Sequence, residues 1–136
     1  MPSKKPILQA LILADQVYMD AMTGKKIIAG TFNRLLSATF PSMFGTMTWA
    51  YVCVTEVHSE ASIVLQYVDL SMNKVLMKTK EFRFSAPDPL LSTEMVLQVP
   101  PFPMPHPGTY ALEVHSGGEM LGSLRISVEQ IQELQK

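Results

Sequence analysis

The amino-acid sequence predicts an all-β protein, an antiparallel sandwich of two sheets. About eight short runs rich in valine, isoleucine, threonine and aromatic residues follow one another closely, the spacing of strands in a sandwich. Turn chemistry separates them: Thr23-Gly24, Asn73-Lys74, Pro87-Asp88-Pro89 and Gly117-Gly118. Glycine tolerates φ > 0, asparagine and aspartate bond their own backbone, and proline cannot donate to a ladder. Only residues 127–136 carry helix signals, so a short C-terminal helix completes the prediction.

Residues 7–18 are largely apolar and read as a buried strand. A helical reading also fits Leu8, Leu11, Ile12 and Tyr18, but the turn that follows favours a hairpin. Residues 26–35 form the returning arm, with Asp20, Thr23 and Gly24 at the turn. Phe40-Pro41-Ser42 through Gly45 breaks the chain. Residues 48–57 are the most strand-like of all, with Trp49, Tyr51 and Cys53 on one face and Ala50, Val52 and Val54 on the other. Apolar residues on both faces predict a central strand.

Residues 62–69 and 75–84 form the next hairpin. The return strand puts Lys78 and Lys80 on the face of Leu76, Phe82 and Phe84, a mixture suited to a sheet edge. Residues 93–99 are a short strand. The tract from Pro100 to Gly108 reads as a crossover between sheets, with Phe102 and Met104 tucked onto the core. Tyr110, Leu112 and Val114 alternate with Ala111, Glu113 and His115, and residues 120–128 complete a final hairpin around Gly117-Gly118. Ser127 and Gln130 fit a capping box, which predicts the terminal helix.

The order Leu-Ala-Asp-Gln-Val-Tyr18, Thr-Gly-Lys25 and Ala-Gly-Thr-Phe-Asn-Arg34 resembles a family of small bacterial proteins known only as a domain of unknown function. The resemblance continues through Pro87-Asp-Pro-Leu90 and Pro107-Gly-Thr-Tyr-Ala-Leu-Glu113, and so spans most of the chain. It implies no catalytic, binding or cofactor residues. Separately, Gly108-Thr-Tyr110-Ala-Leu112 is similar to the entry of a late strand in immunoglobulin-like sandwiches, where a tyrosine caps a corner. The general architecture is therefore expected to be immunoglobulin-like, although the cysteine–tryptophan spacing of true immunoglobulin domains is absent.

With 136 residues, the length predicts one domain over residues 1–136 that buries about two-thirds of its unfolded surface. A net charge of −1 gives no electrostatic ground for nucleic acid or an anionic membrane. No uncharged run is long enough for a transmembrane helix. Lys4-Lys5 precede an apolar stretch, but Gln9 interrupts it, Asp15-Gln16 follow it and no Ala-x-Ala site appears. With Cys53 as the only cysteine, a cytoplasmic location is expected.

Each candidate site residue has an ordinary structural reading that outweighs the chemical one. Cys53 sits mid-strand between valines, where a thiol behaves as a small hydrophobe. His58, His106 and His115 lack the short spacing that metal ligands need. Asp15 interrupts an apolar run and is expected to be a buried, hydrogen-bonded carboxylate. Ten methionines include Met19, Met22, Met43, Met47, Met72 and Met104 near turns, and these would make a contact patch if they clustered. No phosphate loop, carboxylate pair or Ser/His/Asp spacing is present. The sequence thus predicts no catalytic, cofactor-binding or metal residues and a non-enzymatic module that binds a protein partner or its own copy. The alternative is a small-ligand or glycan-binding module using Trp49, Tyr51 or Tyr67 as a stacking platform.

Overall fold

The computed structural model describes residues 5–132. Its strands are β1 (Ile7–Met19), β2 (Lys26–Thr31), β3 (Arg34–Ser37), β4 (Ser42–Phe44), β5 (Thr48–Thr55), β6 (Ser59–Asp69), β7 (Lys74–Lys78), β8 (Phe82–Ala86), β9 (Thr93–Val99), β10 (Phe102–Met104), β11 (Gly108–Ser116) and β12 (Glu119–Gln130). One sheet has the order β2-β1-β5-β9 and the larger one β3-β12-β11-β6-β7, with β8 also pairing β6; β4 and β10 pair separately. Leu13, Val52, Val54 and Met95 from the first sheet meet Leu65, Tyr67, Leu112 and Ile126 from the second in one core. The expected central strand is β5, whose Ala50, Val52 and Val54 are wholly buried.

The predicted C-terminal helix is absent from the described residues, and residues 133–136 of that prediction lie outside them. Ser127, Val128, Glu129 and Gln130 continue β12 and pair in parallel with Arg34, Leu35, Leu36 and Ser37. Burial of Val128 at 2% and Leu35 at 7% outweighs a local capping signal worth about 1 kcal/mol. This parallel pair also corrects the expectation of purely antiparallel sheets.

Two predicted strands are each broken in two. The arm expected over residues 26–35 splits at Phe32-Asn33, so β2 serves one sheet and β3 the other. The expected strand 75–84 splits into β7 and β8 along one partner. Lys78 pairs with Gln66 and Phe82 with Ile63, four steps on one strand against three on the other. A one-residue change of register reverses facing, which puts Lys78 opposite to Phe82 and Phe84 rather than beside them. The proline tract crosses between sheets as expected and contains β10, with Phe102 and Met104 buried.

The first hairpin does not run straight. Glu94 is level with Cys53 and Ala10, whereas Lys26 is level with Met19. A straight β1 would hold those levels about 30 Å apart at ~3.3 Å per residue. Lys26 Nζ nevertheless lies 3.7 Å from the Glu94 carboxylate. The arm of β1 and β2 therefore doubles back over the outer face of its own sheet. The bend falls where Gly30, at φ +74°, faces Asp15. Asp15 is exposed there, which corrects the expected buried carboxylate: the apolar run ends at Ala14, at the bend. At the tip, Asp20 Oδ1 accepts from the backbone N–H of Met22 and Thr23, at 2.9 and 3.0 Å.

Alanine at position 30 would force that φ on a residue with a Cβ. Gly30→Ala is expected to lower stability by about 1–2 kcal/mol in urea unfolding. A Cβ there would sit 2.5 Å from Asp15 Oδ2, the movable end of an exposed side chain, and 3.1 Å from Asp15 Cβ. Adding Asp15→Ala removes only the carboxylate and should leave the loss in place; full recovery would assign the loss to the carboxylate contact instead.

Candidate functional site

The densest polar constellation lies at one end of the core, where β6 ends and β11 begins. Tyr110, at the start of β11, is fully buried. Its hydroxyl donates to the backbone carbonyl of His106, 2.5 Å away. This is the tyrosine corner expected from Gly108-Thr-Tyr110. The His106 ring turns the other way, with Nε2 2.6 Å from Asp69 Oδ2 and Nδ1 2.8 Å from the Pro107 carbonyl. Asp69 is 2% exposed, and its Oδ1 accepts from the Ser71 N–H at 3.0 Å and the Ser71 hydroxyl at 2.8 Å.

Serine, histidine and aspartate thus converge, although no sequence spacing announced them. Their wiring is not that of a nucleophile. Both His106 nitrogens face acceptors, an arrangement that favours the doubly donating, protonated ring and aims neither nitrogen at the Ser71 proton. Ser71 Oγ is 3.5 Å from the same Nε2 that meets Asp69, and donates to Asp69 itself. The arrangement clamps the β6–β7 turn to the loop before β11.

The charges support one another. Burial pushes the Asp69 carboxyl up, but its bonds from Ser71, His106 and Met72 outweigh burial and hold it below the ordinary value of 3.8. The Pro107 carbonyl first, and Asp69 next, raise His106 above 6.5.

A second constellation lies on the outer face of the four-stranded sheet. Trp49 and Tyr51 are half-buried there, across from Ala14 and Ile12 on β1. The Tyr51 hydroxyl donates to the Glu94 carboxylate. That bond, and then burial, pushes the phenol well above its ordinary range. With Lys25, Lys26 and Ile28 of the folded-back arm, Tyr51 and Glu94 line an open groove of about 560 Å³. Tyr67, the third aromatic of the predicted platform, lies in the core at 0% exposure. It stacks on Tyr110 and Phe102, with ring centroids 5.3 and 4.3 Å apart, so it belongs to no platform.

The remaining candidates are dispersed. Cys53 is buried, its Sγ 3.8 Å from the side-chain amide Oε1 of Gln9. His58 faces Glu56 at 3.4 Å and His115 faces Glu113 at 2.9 Å, so each of the three histidines has its own carboxylate. Met104 is buried, while Met19 and Met22 are exposed at the first hairpin tip, Met43 and Met47 in and just after β4, and Met72 in the turn between β6 and β7. The margins of the two main sheets are β2 and β9 on one and β3, β7 and β8 on the other, each with a partner on one side only. Around β2, the arm exposes Tyr18 at 54%, Met22 at 94% and Ile27 at 50%, with Tyr18 and Ile27 directly cross-strand.

Residues 9–129 match the model of a family of unknown function, DUF6941, and the chain belongs to that family. No curated protein matches it. Among solved structures, the chain is similar to the crystal structure of an immunoglobulin-like protein from Pseudomonas aeruginosa. That similarity is at 12% identity and a TM-score of 0.38, over 93% of this chain and 98% of that one.

The clamp makes stability depend on pH with a defined sign. The His106 contribution is complete below 6.5 and is lost as pH rises through its raised folded value. The Asp69 contribution is present above 3.8 and is lost as pH falls through its depressed folded value. Urea unfolding of the native chain should therefore lose stability as pH rises above 6.5, and His106→Gln should remove that slope. Identical profiles for the two proteins would show that the clamp is not charged.

Proposed function

We propose that this chain is a non-enzymatic protein-interaction module on an immunoglobulin-like sandwich. The observation that carries the reading is the folded-back arm, which presents an open strand edge at β2 together with exposed Tyr18, Met22 and Ile27. An unpaired edge offers backbone donors and acceptors, and apolar side chains beside it add burial on contact. The wiring of Ser71, His106 and Asp69, in which both imidazole nitrogens meet other acceptors, supports the non-enzymatic part of this reading. A cytoplasmic location is part of the same reading, on the ground that the single cysteine, Cys53, is free and buried.

Light scattering across a concentration series, with Tyr18→Ser/Ile27→Lys as the comparison, tests this reading. The native chain is expected to self-associate and the variant to remain monomeric. A monomer in both cases directs the reading to a foreign partner, which tagged native chain should capture and the variant should lose. Equal capture by the two proteins contradicts the arm's role.

One observation favours a second reading as a glycan-binding module. Tyr51 lines an open groove with a carboxylate and two lysines, and Trp49 lies two residues along the same face of β5, a combination that can stack on a sugar ring and bond its hydroxyls. Trp49 is the only tryptophan, so its fluorescence reports directly on that face. Saturable quenching by a neutral oligosaccharide, abolished in Tyr51→Ala, is the expected signature of this reading; no change across a saccharide panel removes it.

A further inference from the structure

We propose that the seam between β9 and the β7–β8 edge docks an extended, acidic polypeptide segment. The proposal deepens the interaction reading above by assigning a second surface and the chemistry of its partner. At the seam the margins of the two sheets face each other across a groove of about 520 Å³, whose lining includes Met47, Lys78, Lys80, Glu81, Phe82 and Leu97. β9 pairs only with β5, so one wall of the groove is a strand with an unpartnered edge; the other wall is the connection between β7 and β8, residues 78–82, at the margin of the larger sheet. An added strand would satisfy such an edge through its backbone and place alternate side chains into the groove. Met47 and Phe82, each 42% exposed, and half-buried Leu97 provide the apolar seat.

Charge identifies the occupant. Residues 74–86 carry Lys74, Lys78, Lys80 and Arg83 against Glu81 alone, in a chain whose net charge is −1. Glu81 is taken by Arg83, 2.9 Å away. Lys78 and Lys80 are exposed and form no ion pair among the described residues. Two copies meeting through this edge would bring like charges together at close range, which disfavours self-pairing there. A segment that alternates apolar and acidic side chains satisfies the edge, the apolar seat and the unpaired lysines together. Nucleic acid fits less well, because the walls offer strand backbone and apolar side chains, and the chain as a whole is anionic.

The test is a titration of isotope-labelled native chain with a short end-blocked peptide of alternating valine and glutamate. Its valine–lysine counterpart and a single-stranded oligonucleotide are titrated in parallel. The acidic peptide should saturate and shift amides of β9 and of residues 78–82. Binding should weaken with added salt, and by about tenfold or more in Lys78→Glu/Lys80→Glu. Both positions are exposed, and an unchanged amide spectrum away from the seam verifies that the variant is folded. The assignment is overturned by absent or equal binding of the two peptides, by tighter binding of the oligonucleotide, or by shifts confined elsewhere. If the titration fails while association through Tyr18 and Ile27 persists, only this groove is lost; if both fail, the interaction reading falls with it.

Discussion

Tyr110 ties together more of this molecule than any other side chain. Its ring stacks on Tyr67, Tyr67 packs on Phe102, and Phe102 packs on Phe44, with centroids 5.3, 4.3 and 5.1 Å apart. Phe44 in turn meets Phe32 at the point where the chain leaves one sheet for the other. Aromatic contacts thus run from the start of β11 through β6, β10 and β4 to the β2–β3 junction. At its polar end the same tyrosine fixes the His106 carbonyl, and His106 fixes the buried Asp69. Aromatic pairs contribute ~0.5–1.5 kcal/mol each beyond their burial, and satisfied buried networks favour one arrangement over its competitors. The Tyr67 hydroxyl has no partner among the described residues, so the stack holds through its faces alone.

Rigidity at that end contrasts with the sheet margins. The bend at Asp15 and Gly30 folds the first hairpin over Trp49 and Tyr51, leaving its far side in solvent. The cationic β7–β8 margin and the β9 margin remain open on the other flank. The unpaired edges leave backbone donors and acceptors in solvent, the feature on which the proposed interaction role rests. The two margins differ in chemistry. The hairpin arm exposes Tyr18, Met22 and Ile27, whereas the seam exposes Lys78 and Lys80.

Much of this was legible in the sequence because the signals were local. Valine, alanine and aromatic alternation marked β5 as central, Gly117-Gly118 marked the last hairpin, and Gly108-Thr-Tyr110 marked the corner. Phe102 and Met104 were readable as core because strand signals flank the proline tract closely on both sides, as in a crossover between sheets. What escaped depended on distant partners. The Ser127–Gln130 capping box lost to a parallel ladder with Arg34–Ser37, nearly the whole chain away. Asp15 looked buried because its neighbours were apolar, whereas the bend that exposes it needs Gly30. The pairing of Asp69 with His106 joins a strand end to a proline loop and leaves no periodic trace. Tyr67 and Tyr51 look alike in sequence, and only the register sends one inward and the other out.

The central claim is that the ends of the core are locked while the sheet edges are open, and residue-resolved amide hydrogen exchange tests it most directly. Amides of β5, β6 and β11 should exchange slowest, with the Tyr110 end as protected as the middle of the core. The outward-facing amides of β2 and β9 should exchange quickly in the isolated chain. Edge amides as protected as those of β5 would contradict the account, since they would already be paired in the free protein.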